Sequence, residues 1–171
     1  IPKDAALTQE NTRVTDKQKI VREIVRNVRT FLSATSVVVP DGRSLEISHH
    51  YGLSNFFRTG LVMATVVNEE YCKKLLILLP GQEHPEQYHK KKKESFHVLH
   101  GKVVLSLDGD ENVYSPGDVV TIEPDVRHSF RSEDGCVIEE ISSTHYVDDS
   151  YYTDEAITKS TNRKTYVTFW R

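Results

Sequence analysis

The seventeen residues Pro85–Gly101, PEQYHKKKKESFHVLHG, hold three histidines, two glutamates and four consecutive lysines. Imidazole and carboxylate together are ligands for divalent transition metals. A second stretch, Ser115–Phe130 (SPGDVVTIEPDVRHSF), supplies another histidine, His128. There Gly117 turns the chain, a strand runs to Ile122, Pro124 turns it again, and His128 lies on the next strand. In a barrel strand alternate residues face the lumen. Gln87 and His89 share parity, and Glu94 starts a strand with Phe96 and Val98 on its face. If the two hairpins face each other, His89, Glu94 and His128 converge as two neutral imidazoles and one carboxylate, a facial triad with positions left open. Gln87 would add a fourth, weaker oxygen ligand. The competing reading is a polar hairpin in water, because single histidines are mostly structural and a lysine run is mostly a wet turn.

Positioning such a group takes a set of short strands, and the sequence provides them. From Leu61 onward β-rich runs follow one another: Leu61–Val67, Lys74–Leu79, Ser95–Leu99, Lys102–Leu107, Asn112–Tyr114, Asp118–Ile122, Ser129–Arg131 and Val137–Ser142. Between them lie the turn signals PGQEHP, HG, LDGDEN, SPGD, EPDVRH and SEDG, a pattern of an antiparallel sandwich or barrel. KTYVTFWR at the end of the sequence reads as one more strand. Ahead of the barrel, residues 1–14 read as an arm or linker and residues 15–35 as an amphipathic helix. Its apolar Ile20, Val21, Ile24, Val25, Val28, Phe31 and Leu32 recur at steps of three and four. Thr15 or Asp16 caps its start, and its stripe either docks on the domain or forms an interface. PDGR, Pro40–Arg43, is a turn, and Gly52–Gly60 a short helical turn. Residues 36–171 form the barrel with its extension.

The 171 residues suit one domain with a real core, at 37% hydrophobic and 27% charged residues. A net charge of -3 gives no electrostatic case for nucleic acid. No apolar run approaches the length of a membrane span; the longest, LLILLP at Leu75–Pro80, fits a buried strand. Cys72 and Cys136 sit far apart in apolar surroundings and read as buried thiols, which points to a reducing cytoplasm. The start at Ile1 rather than Met reads as a processed product or a segment of a longer protein.

The two site segments resemble the paired motifs of the cupin superfamily. The first appears as Gly81, Gln87-Tyr88-His89, Glu94 and Gly101, the second as Gly117, Pro124 and His128. The resemblance covers roughly Leu75–Ser142. It implies an all-β double-stranded β-helix (jelly-roll barrel) with an N-terminal α-helix, and His89, Glu94 and His128 as metal ligands. Gln87 stands where the family has its first histidine. An amide oxygen is a poorer donor than imidazole for borderline metals, so manganese is favoured over iron, zinc, nickel or cobalt. The alternative is a site that has lost its metal and remains a polar pocket.

A narrower resemblance covers most of the chain. Tyr71–Val103 and Glu139–Ile157 are similar to D-lyxose isomerase-type cupins, with their PGQ run and EISST run. SHHYGL, NEEYCKKLL and RKT also resemble the cupin module at the carboxyl end of long N-acetylneuraminate synthases. This resemblance implies a metal-dependent aldose–ketose isomerase acting on a sugar or sugar acid, and a role in sialic acid biosynthesis if fused to a synthase. The cupin resemblance implies sheets that pair face to face, and with the helix stripe of Ile20, Val21, Ile24, Val25 and Val28 as extra apolar area a homodimer is expected. By the isomerase resemblance Lys74 lies in the site and Glu140 faces inward as a proton-transfer group, which turns Glu139 outward. His84 reads as a turn residue that would replace the missing ligand only if its loop folded back. His49 and His50 are placed at the pocket mouth, His97 and His100 in structural or surface positions. Lys90–Lys93 reads as a solvated turn with a second role in attracting an acidic sugar. His145, Asp148 and Asp149 are placed to close one end of the barrel. Two other classes remain: a non-catalytic sugar-binding or regulatory module, and a non-haem iron oxygenase, which uses the same kind of triad.

Overall fold

The strand Tyr71–Leu78 shows how the domain is layered. Its Leu75 and Ile77 pack on one side with Ile24 and Val28 of the N-terminal helix, while Leu76 and Leu78 pack on the other with Phe96, Val98, Leu105 and Phe130. Period-two alternation in a strand covered on both faces gives a nearly continuous apolar run, which is why LLILL lacks polar interruptions.

The computed structural model describes residues 14–171; all but Val14 of the expected arm at 1–14 lies outside the described residues. Helix α1 spans Asp16–Ser33. Twelve strands follow, with a second short helix between the last two: β1 Leu45–Ser48, β2 Leu61–Asn68, β3 Tyr71–Leu78, β4 Glu83–Tyr88, β5 Glu94–Gly101, β6 Val103–Leu107, β7 Asp110–Tyr114, β8 Val119–Ile122, β9 His128–Arg131, β10 Cys136–Ser143, β11 Tyr151–Tyr152, α2 Glu155–Lys159 and β12 Lys164–Val167. One antiparallel sheet has the order β12-β1-β2-β3-β10-β5-β8, the other β11-β4-β9-β6-β7. Consecutive strands of the site motifs alternate between the two sheets, so the sheets close over one lumen as a double-stranded β-helix.

Helix α1 begins at a capping box: Thr15 accepts from the backbone of Gln18, and the Gln18 side chain accepts from the backbone of Thr15. Its Ile24 and Val28 are fully buried against the outer face of the larger sheet. The apolar stripe is therefore used within the domain. Gly101, at φ 72°, ends β5 at a close backbone approach: a Cβ there would stand 2.1 Å from the Gly135 carbonyl oxygen. That clash and the left-handed φ both require glycine.

The lumen divides into two ends. Val98, Val103, Leu105, Ile122, Cys136 and Ile138 fill one with apolar side chains. Lys74, His84, His89, Lys92, Glu94, His128 and Glu140 occupy the other, all buried. Cys72 and Cys136 are buried free thiols. Among the described residues no helix is long and apolar enough to cross a membrane.

Candidate metal centre

His89, Glu94 and His128 arrive from three places in the barrel. Antiparallel pairing of β4 with β9 sets Gln87 opposite His128, and the β4–β5 loop returns the chain so that Glu94 opens β5 on the facing sheet. Their ligand atoms lie within 4.8 Å of one another. His128 Nε2 is 3.0 Å and His89 Nε2 3.6 Å from Glu94 Oε1.

The ring tautomers are fixed from behind. His89 Nδ1 is 2.7 Å from the Asp149 carbonyl oxygen, and His128 Nδ1 is 2.9 Å from that of Val126. A carbonyl oxygen only accepts, so in each ring Nδ1 carries the proton and donates it, and the ring in its uncharged form presents the Nε2 lone pair to the lumen. Both lone pairs then face a carboxylate oxygen, acceptor against acceptor. None of these three groups' inward atoms has an aligned hydrogen-bond partner. Unpartnered buried acceptors at such range repel unless a cation lies between them. One divalent ion would satisfy all three, and backbone carbonyls holding the far nitrogens are the usual outer support of metal-bound histidine. The residues present fit a metal.

Lys92 was expected in a wet turn, and the structure corrects that. Its side chain is 4% exposed and its Nζ lies 2.7 Å from Glu94 Oε2 and 2.8 Å from Glu140 Oε1. Burial works against its charge, but the two carboxylates outweigh burial and raise its pKa above the ordinary value. Burial likewise opposes ionisation of Glu94, yet the Lys92 charge beside it holds its pKa well below the usual carboxylate range. The other lysines of the run also have partners: Lys90 lies over the Tyr151 ring, Lys91 over Tyr146, and Lys93 pairs with Glu123 at 2.7 Å.

Lys74 and Glu140 lie opposite each other in the β3–β10 register, and both line the same cavity as Gln87, His89 and Lys92. Desolvation lowers the Lys74 pKa, with Glu140 working the other way. Glu139 faces the opposite side of the sheet, where Lys73 and His97 hold it at 2.7 and 3.2 Å. Gln87 is half-buried in the cavity wall, and its side chain has no hydrogen-bond partner among the described residues.

His84 is not a turn residue. It lies on β4, fully enclosed, stacked on Phe130 at 4.7 Å with His50 edge-on at 4.7 Å and Tyr152 beyond. Desolvation lowers its pKa well below the ordinary histidine value and brings His50 to about 3, so both rings are neutral. His84 is outside the ligand cluster. His49 bonds Thr165. Sequence reasoning missed the third lysine of the run and gave no reason for burying Asp149; the only available signal was their place beside the motif.

Residues 74–138 match the model of the cupin domain. The chain is 30% identical over 172 residues to a D-lyxose/D-mannose isomerase of Thermosediminibacter oceani, covering 82% of this chain and 94% of that protein. It is also 30% identical over 136 residues to a D-lyxose ketol-isomerase of Cohnella laeviribosi, covering 63% and 75% respectively. Among solved structures, L-ribose isomerase of Geodermatophilus obscurus superposes with a TM-score of 0.71 at 15% identity, over 89% of this chain and 98% of that one; at that identity the likeness concerns the fold. With the cupin domain carrying the candidate centre and near-complete coverage of an isomerase relative, the chain belongs to the D-lyxose isomerase family of cupins.

Proposed function

We propose that the protein is a metal-dependent aldose–ketose isomerase acting on a sugar or sugar acid. One observation carries this reading: three unpartnered ligand atoms converge beside a buried carboxylate, Glu140, held in an ion pair by Lys92. His89, Glu94 and His128 would hold the ion, with the Gln87 amide oxygen beside them; manganese suits that donor set best. When bound, the ion supplies Lewis acidity that polarises the sugar carbonyl and acidifies the neighbouring C–H.

The chain's own residues do the rest. Glu140 takes the proton from C2 of the aldose and returns it to C1 of the enediol, giving the ketose; the reverse direction uses the same group. Lys92 fixes one of the Glu140 oxygens through its ion pair. Lys74, across the strand pair from Glu140 and with its pKa lowered by burial, is placed to pass a proton between O1 and O2. The wall of His84, His50 and Phe130 excludes water from one side.

A second reading rests on Gln87, which stands where an imidazole would bind more tightly: a sugar-binding or regulatory module without turnover. In either case the module would operate in the cytoplasm, with fusion to a sialic-acid-type synthase as one setting. An iron oxygenase is the remaining alternative. The test is elemental analysis with a turnover screen. One divalent ion per chain, lost in a folded His89→Ala/His128→Ala variant, together with sugar isomerisation supports the proposal. Full metal retained by that variant ends it, metal-free sugar binding favours the second reading, and iron with oxygen uptake the third.

A further inference from the structure

One buried carboxylate organises the loop that carries His89 and Lys92, and it comes from a distant part of the chain. Asp149 is 2% exposed, in the segment between β10 and β11. Its Oδ1 accepts from the backbone N–H of Lys90 at 3.0 Å and of Lys91 at 3.2 Å. Its Oδ2 accepts from Lys91 at 3.1 Å and Lys92 at 3.0 Å. Three successive amides converging on one anion form a concave backbone nest, a geometry that binds negative charge. The same residue's carbonyl oxygen takes the Nδ1 proton of His89. The segment is tied down on its other side as well, where Ser143 N–H donates to the Lys93 carbonyl and Lys93 N–H to Ser143 Oγ.

We propose that Asp149 is the positioning residue of the metal centre, its carboxylate setting the backbone of residues 90–92 and its carbonyl setting the His89 ring with Nε2 toward the ion. Resting on the metal reading above, this assigns a task to a residue that touches neither ion nor sugar. The loop is rich in lysine, and four adjacent ammonium groups repel one another. An anion at the centre of the turn offsets that repulsion and keeps the third lysine directed inward. Losing it lets His89 turn about its ring bond and exchange tautomers, and lets Lys92 leave Glu94 and Glu140.

Three variants and one spectrum test the proposal. Asp149→Ala removes every carboxylate contact. Asp149→Asn replaces one acceptor oxygen with an amino group that faces backbone N–H donors. Asp148→Ala, at an exposed neighbour, is the control. Manganese affinity, measured by titration of chelator-treated protein, is expected to fall by about 10- to 100-fold in Asp149→Ala, the range for lost outer support of a ligand. Asp149→Asn should fall between it and the wild type, and Asp148→Ala should not change. Nitrogen-15 imidazole spectra of the metal-free protein should show His89 protonated at Nδ1 in the wild type and as a tautomer mixture in Asp149→Asn. Wild-type affinity in a folded Asp149→Ala or Asp149→Asn variant would overturn the proposal, as would an Nε2-protonated His89 in the metal-free wild type. The spectrum decides even if both variants fail to fold. Absence of metal binding in the wild type, by contrast, strikes the functional reading, while the tautomer still tests Asp149.

Discussion

Replacing Lys92 by methionine probes the buried charge chain directly. The side chain keeps a similar length and loses only its cation, leaving Glu94, 2% exposed, without a counter-ion and Glu140, 5% exposed, with Lys74 alone across the strand pair. Removing one partner from a buried ion pair costs about 3–5 kcal/mol because the remaining charge stays desolvated. In a chain of this size each kcal/mol moves the melting temperature by about 2–4 °C, so the chelator-treated variant should melt about 6–20 °C below the wild type. A divalent ion binds the folded form and neutralises Glu94, so saturating manganese should recover part of the loss. The pH dependence has a definite sign. The folded-state pKa of Glu94 is depressed, so its contribution is present above the ordinary value of 4.5 and is lost as pH falls through the folded value. The folded-state pKa of Lys92 is raised, so its contribution is present below 10.5 and is lost as pH rises through the folded value. These two groups therefore contribute between about pH 5 and 10, and the wild-type advantage they give shrinks outside that window. The assay is thermal and urea unfolding of both proteins, in chelator and in manganese. Equal stability in chelator at pH 7 would refute a Lys92 held between two carboxylates.

Gln87→His should tighten manganese and zinc binding, since imidazole is the stronger donor; unchanged affinity by titration would remove Gln87 from the metal's surroundings. Gly101→Ala should destabilise the fold by at least about 2 kcal/mol through its left-handed φ and the contact with the Gly135 carbonyl, measured by urea unfolding; a neutral change would contradict the close approach of the two turns. Light scattering should give a homodimer, and a monomer at working concentration would refute that assembly.

Much of the barrel is legible because its strands are apolar and bounded by glycine and proline. Helix α1 declares itself by its stripe, with Thr15 or Asp16 as its cap, and the structure selects Thr15 with Gln18 as its partner. The start of β4 does not: PGQEHP is polar, holds Pro85 and reads as a turn, yet Glu83 and His84 already pair with β9 ahead of Gln87. β1 is only four residues long, and its pairing with β2 and β12 is non-local. For the site, the order of the motif residues carries the convergence of His89, Glu94 and His128. Nothing local distinguishes Lys92 from the lysines on either side. Its burial depends on Glu140, 48 residues away, and on Asp149, 57 residues away. His84 likewise looks like a turn residue before Pro85 until Phe130 and His50 are brought against it by the sheet.

The central claim is proton transfer at a sugar carbon by Glu140, and solvent-deuterium exchange measures it most directly. Manganese-loaded protein would be incubated in deuterated water with a panel of aldoses, ketoses and acylated sugar acids, and exchange at C2 of the aldose and C1 of the ketose followed by NMR. Exchange and turnover are expected in the wild type and in Glu139→Gln, whose side chain faces Lys73 and His97 on the other side of the sheet. In Glu140→Gln, with metal retained, both should fall by about two to four orders of magnitude, the usual contribution of a general base. Exchange undiminished in Glu140→Gln would contradict the assignment of the base, and no exchange with any sugar when manganese, iron, cobalt, nickel or zinc is supplied would contradict the isomerase itself.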